Sequence, residues 1–179
     1  MQTEVPYKEE IMKTIILSCL LVVLGGVLSA QTPEWQWAVR AGGPALDESE
    51  VGQAIAIDGQ GNQYVTGWFW GTATFGPYTL TSASSEYPDI FAVKLDTNGN
   101  WLWAVQAVGG AIWGYGFGQG IAVDGDDNVY LTGYFEGTAD FGTTYLTSVV
   151  GVDAYVAKLD TSGNWLWAVR GGGTVRSDT

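Results

Sequence analysis

The chain repeats itself at a spacing of 66 residues, and few folds tolerate such a repeat. Gly52-Gln-Ala-Ile-Ala-Ile-Asp58 returns as Gly118-Gln-Gly-Ile-Ala-Val-Asp124. Asn62-Gln-Tyr-Val-Thr-Gly-Trp-Phe69 returns as Asn128-Val-Tyr-Leu-Thr-Gly-Tyr-Phe135, and Gly71-Thr-Ala-Thr-Phe-Gly76 as Gly137-Thr-Ala-Asp-Phe-Gly142. After a two-residue deletion the spacing is 64: Asp89 to Asp96 returns as Asp153 to Asp160, and Asn100-Trp-Leu-Trp-Ala-Val105 as Asn164-Trp-Leu-Trp-Ala-Val169. An earlier copy of the last strand is Trp35-Gln-Trp-Ala-Val39. Self-similarity on this scale marks a stacked or radial repeat architecture.

Each repeat reads as four short strands. Ala54–Asp58, Tyr64–Phe69, Ile90–Leu95 and Trp101–Val105 are rich in β-branched, aromatic and small apolar residues, the composition of a strand surface. Thr72 to Ser82 is an extra segment with room for a short hairpin. No 3.6-residue apolar period follows the first 30 residues. One turn recurs: Asp58-Gly-Gln-Gly-Asn62, Asp96-Thr-Asn-Gly-Asn100 and Asp160-Thr-Ser-Gly-Asn164, with the variant Asp124-Gly-Asp-Asp-Asn128. The aspartate can accept from backbone N–H groups ahead of it, and the glycine can take a positive φ. Four strands closed by such turns make one propeller blade.

At these residues the chain resembles the SBBP repeats, a bacterial β-propeller family. The resemblance implies an all-β fold of propeller blades, about four antiparallel strands per ~65-residue repeat, within exported or surface proteins; it implies no particular activity. Lys-Leu-Asp-x-x-Gly-Asn-x-x-Trp is also similar to the blade motif of quinone-cofactor dehydrogenase propellers, but their further motifs and adjacent cysteine pair are missing.

A ring needs about four to eight blades. The 179 residues hold two repeats, about 35–100 and 101–164, and the start of a third at 165–179. The expectation is an incomplete ring, the N-terminal fragment of a longer protein. The rival is a short chain whose copies assemble into one ring, so an oligomer is expected only if the chain is naturally this short.

Residues 1–30 read as a leader. Met12-Lys13 precede an apolar run from Ile15 to Leu28, followed by Ser29, Ala30 and the polar Gln31. That is the layout of a secretory signal, with Met12 as the expected start. The only cysteine, Cys19, lies inside this run. Residues 31–179 form the repeat region, with no expected transmembrane span. They carry 16 acidic and 5 basic residues, a net charge of −11. Such a surface repels phosphate backbones, so nucleic acid is not an expected partner. The expected setting is secreted or on a bacterial cell surface, with an extracellular protein or glycan as partner.

The chain has no histidine, which excludes Ser–His and Cys–His nucleophile systems and histidine metal sites within it. Only carboxylate pairs such as Asp47, Glu48, Glu50 and Glu86 remain, and charged loops are usually solvated. No enzyme activity and no cofactor are expected. Asp124, Asp126 and Asn128 alternate as in oxygen-ligand calcium loops, a weak calcium candidate. Repeated residues read as architecture: Trp35, Trp37, Trp101, Trp103, Trp165 and Trp167, the pair Trp68 and Tyr134, and Lys94 with Lys158. Differences between repeats point to binding. Asp47-Glu-Ser-Glu-Val51 aligns with Trp113-Gly-Tyr-Gly-Phe117, Trp70 with Glu136, and the loop Ser84 to Pro88 changes length. Trp113, Tyr115, Phe117 and Trp70 are therefore the expected ligand contacts, on the end of the blades opposite the Asp-x-x-Gly-Asn turns.

Overall fold

The structure, a computed structural model, describes residues 34–43, 49–109 and 114–173. The chain divides into a unit through Trp35 and a unit from Gln36 onward. The leader expected over residues 1–30 lies outside the described residues, as do Asp47, Glu48 and Trp113. No described helix is long and apolar enough to cross a membrane.

From Gln36 on, the described elements are strands. Blade 1 is an antiparallel meander of β1 (Glu50–Ile57), β2 (Gln63–Phe69), β5 (Asp89–Leu95) and β6 (Trp101–Gly109). Blade 2 repeats it with β7 (Tyr115–Val123), β8 (Val129–Phe141), β9 (Thr144–Leu159) and β10 (Trp165–Gly171). The extra segment of blade 1 is the hairpin β3 (Thr72–Phe75) and β4 (Tyr78–Thr81). Its counterpart in blade 2 is continuous with β8 and β9 through the pairs Thr138↔Thr147 to Phe141↔Thr144. Among the described residues the chain is all-β, built of four-stranded propeller blades that do not close a ring.

The four recurring turns are alike down to the atom. In each, the first aspartate's Oδ1 accepts the N–H groups two and four residues ahead, and the asparagine amide donates to the same carboxylate. The residue before the asparagine has positive φ: Gly61, Gly99 and Gly163 at 87°, 80° and 84°, and Asp127 at 61°. These turns join β1 to β2, β5 to β6, β7 to β8 and β9 to β10. They gather at one end of the blades, and the Ser84–Pro88 loop lies with the starts of β1 and β7 at the other.

The blades stack face to face. Tyr64, Ile90, Ala92, Trp103 and Ala107 of blade 1 form one buried cluster with Val129, Leu131, Phe135, Tyr155, Ala157 and Leu159 of blade 2. A smaller cluster of Phe69, Ala73, Phe75, Phe91, Val93 and Leu95 sits between blade 1 and its hairpin. Close approach is secured by glycine: a Cβ on Gly118 of β7 would lie 2.3 Å from Thr66 Oγ1.

Tryptophan staples bind neighbouring strands. Trp103 Nε1 of β6 donates to Thr161 O in the β9–β10 turn at 3.2 Å, and its ring lies over Gly163, where a Cβ would be 2.9 Å away. Trp37 does the same one repeat earlier, donating to Thr97 O at 2.9 Å with its ring over Gly99. The bridge Gly42↔Thr74 likewise matches the β6–β8 pair Val108↔Asp140. Residues 36–43 therefore stand against blade 1 as β6 stands against blade 2. Trp101 and Trp165 pack edge-on against Phe75 and Phe141 of their own blades, at 5.5 and 5.1 Å. Trp35 departs from the packing role expected of the repeated tryptophans, because it is 93% exposed.

Candidate functional site

The variable end carries an aromatic cleft of about 380 Å³ lined by Trp70, Glu86, Tyr87, Pro88, Tyr115, Phe117 and Tyr134. Strand register builds it. Tyr115 and Phe117 alternate along the start of β7, so both side chains share one face, opposite Glu136 and Tyr134 of β8. Trp70 follows the last residue of β2, its N–H donating to Ser49 O at 3.0 Å. The Ser84–Pro88 loop closes the third wall, pinned where Gly116 N donates to Pro88 O at 3.0 Å.

The rings form a connected surface. Trp68 packs edge-on against both Trp70 and Phe117 at 5.0 and 5.5 Å. Phe117 stacks on Tyr134 at 5.0 Å, and Tyr115 meets Phe117 and Tyr87 at 5.6 and 6.4 Å. Glu136, paired with Tyr115 across the strands, pushes the Tyr115 phenol up to about 12. Trp70 Nε1 is buried with no hydrogen-bond partner, an orphan donor of the kind that usually costs ~1–3 kcal/mol. Concave, mostly aromatic surfaces with a few polar groups are what ligand sites are made of.

Three of the four expected contacts, Trp70, Tyr115 and Phe117, thus meet in one cleft, while Trp113 lies outside the described residues. Sequence reading did not single out Tyr87 within the variable Ser84–Pro88 loop and took Tyr134 for a packing residue, whereas Trp68 packs as expected and Glu136, already marked as a difference from Trp70, faces Tyr115 from β8. The missed signal was register. Tyr134 faces Phe117 and Glu136 faces Tyr115, so a variable pair on β7 points to its partners on β8.

At the opposite end, Asp124, Asp126 and Asn128 are the β7–β8 turn itself. Asp124 accepts from Asp126 N and Asn128 N, from the Asn128 amide and from the Tyr130 hydroxyl. The Asn128 bond leads in holding its carboxyl down to about 2. Lys158 Nζ lies 3.8 Å from the same carboxylate and 4.9 Å from the Tyr130 ring. Blade 1 has the same set: Asp58, Tyr64 and Lys94, with Nζ 3.8 Å from the carboxylate. The repeated lysines close structural contacts. No group of three or more acidic, histidine or cysteine residues among the described ones is arranged to hold a metal ion.

No protein-family model matches the chain. It is similar to an uncharacterized WD repeat-containing protein of Acanthamoeba polyphaga mimivirus, with 30% identity over 65% of this chain and 9% of that protein. The chain therefore spans about 9% of the length of that relative. The likeness accords with a β-propeller-like repeat, the architecture to which WD repeats belong.

Proposed function

We propose that the chain is a non-catalytic interaction module of an exported protein, an SBBP-type pair of blades whose ligand surface is the aromatic cleft. One observation carries this reading: Trp70, Tyr115 and Phe117, which differ between the repeats, meet with the variable Ser84–Pro88 loop in one concave surface, while the repeated residues are spent on turns, staples and blade packing. The basic, apolar and small-residue pattern of residues 12–30 supports export. The test is binding to arrays of glycans and peptides by the wild type and by the triple variant Trp113→Ala/Tyr115→Ala/Phe117→Ala. Lost binding with an unchanged melting temperature is expected. Collapse of the fold in the triple variant, together with full binding by Tyr115→Ala alone, would reassign these rings to packing.

A second reading, a carbohydrate-binding ring assembled from several chains, is favoured by the outer face of blade 2. Thr132, Val156 and Trp167 are exposed there, although the same positions of blade 1 are covered by a neighbouring blade. Sedimentation velocity at micromolar concentration separates the readings: a stable oligomer retained on glycan resin supports the assembly, and a monomer eliminates it.

A further inference from the structure

Resting on the cleft as the ligand surface, we infer that the cleft takes an organic cation, an alkylammonium group held against the faces of Trp70, Tyr115, Phe117 and Tyr134. Aromatic faces carry negative quadrupole density and attract an ammonium placed within about 6 Å. The charged side chains at the cleft among the described residues are both carboxylates: Glu86 in its lining and Glu136 paired with Tyr115 across the strands.

Among the described residues, no lysine or arginine lines the cleft. Lys94 and Lys158 are tied to the Asp turns at the other end, and Arg170 pairs with Asp153 at 2.5 Å. A site for a carboxylate or phosphate would place a cation where the ligand sits. This cleft does the reverse, in a repeat region whose net charge is −11. Glu136 is paired with Tyr115 across β7 and β8, so a second carboxylate adds negative charge beside the rings. Rings in mutual contact at 5.0–5.6 Å hold their faces fixed before a ligand arrives, which lowers the ordering cost of binding.

The probe pair that tests this is choline and its neutral carbon isostere, 3,3-dimethylbutan-1-ol, followed by tryptophan fluorescence, since Trp68 and Trp70 report on the cleft. A peptide bearing trimethyllysine and a panel of soluble oligosaccharides complete the set. Choline should bind about ten-fold tighter than the isostere. Glu86→Gln, at an exposed loop position, should weaken choline about three-fold at low salt and leave the isostere unchanged. Choline binding without the peptide marks a small-molecule site, and binding of both marks a site open to a protein side chain; either supports the cation. Equal affinity for choline and isostere overturns the cation but leaves an apolar binding cleft. Response to oligosaccharides alone also overturns it and leaves the cleft standing. Silence toward every probe by folded protein overturns both the cation and the cleft as a ligand surface.

Discussion

Blade 1 and blade 2 are near-copies placed in different company, and the comparison separates what the repeat encodes from what its neighbours supply. Thr66 and Ala92 are 0% exposed, whereas their counterparts Thr132 and Val156 are exposed, Val156 at 41%. Trp103 is 9% exposed and Trp167 is 38% exposed. On the other side the order reverses. Ile55 of β1 is 61% exposed, while its counterpart Ile121 packs against the inter-blade core. The turns, the bulges at Gly52/Ala54 and Gly118/Gly120, and the Asp–Tyr–Lys clusters are the same in both blades. Local hydrogen bonding therefore belongs to the sequence of one repeat, and burial belongs to the next blade.

Burying a charge strains this comparison hardest. Ala92→Glu should cost about 4 kcal/mol or more, because the carboxylate would sit unpaired between the sheets. Val156→Glu should stay within about 0.5 kcal/mol. Urea unfolding of both variants measures the gap, and similar losses would mean that the face of blade 2 is covered after all.

Tyr64→Ala should cost ~3 kcal/mol and Tyr130→Ala ~1 kcal/mol. The first empties a fully buried position, while the second ring lies at the open face. Trp103→Phe removes the Nε1 bond to Thr161 O and should cost ~1–2 kcal/mol. Trp167→Phe should be nearly silent, as no such bond is made by Trp167 among the described residues.

The buried aspartates offer a titration test. Asp89 accepts from Gly109 N at 2.7 Å and Ala83 N at 3.0 Å, yet burial outweighs these bonds and raises its pKa above 3.8. At the same place in blade 2, Arg170 lowers the pKa of Asp153 below 3.8, its hydrogen bond outweighing burial. The stability linked to Asp89 is fully present below pH 3.8 and is lost as pH rises through its folded pKa. The stability linked to Asp153 is present above pH 3.8 and is lost as pH falls through its folded pKa. Arg170→Gln, which installs the residue found at Gln106, should move Asp153 upward toward the behaviour of Asp89. Carboxyl carbon NMR reads both, and an unmoved Asp153 would remove Arg170 as the cause.

The smallest effect lies in the odd turn. Asp127 adopts φ 61°, where the three sister turns carry glycine. Asp127→Gly should stabilise by about 0.5 kcal/mol, measured as a rise in melting temperature.

Much of this was readable from residues alone. The strand count, the turn chemistry and the packing role of Trp37, Trp101, Trp103 and Trp165 follow from repetition, because local hydrogen bonds recur wherever the sequence does. Three of the seven cleft residues, Trp70, Tyr115 and Phe117, followed as named contacts from difference. Trp35 failed because repetition reports what a residue does inside a complete blade, not whether a neighbour is there to bury it. Tyr87 and Tyr134 were not singled out, because each becomes a wall only through strand pairing or loop docking, a relation that no single segment displays.

The staple has a consequence for how such chains grow. Each repeat carries an indole that reaches forward and a glycine turn that receives the indole behind it. Duplicating one repeat in the gene therefore adds one plug and one socket of matching shape, and no new surface has to be invented. A side chain at the receiving glycine would meet the incoming indole at 2.8–2.9 Å, so that position has to stay glycine in each copy for the staple to close. Divergence is then channelled into the loops at the far end, where each new copy is free to acquire its own ligand.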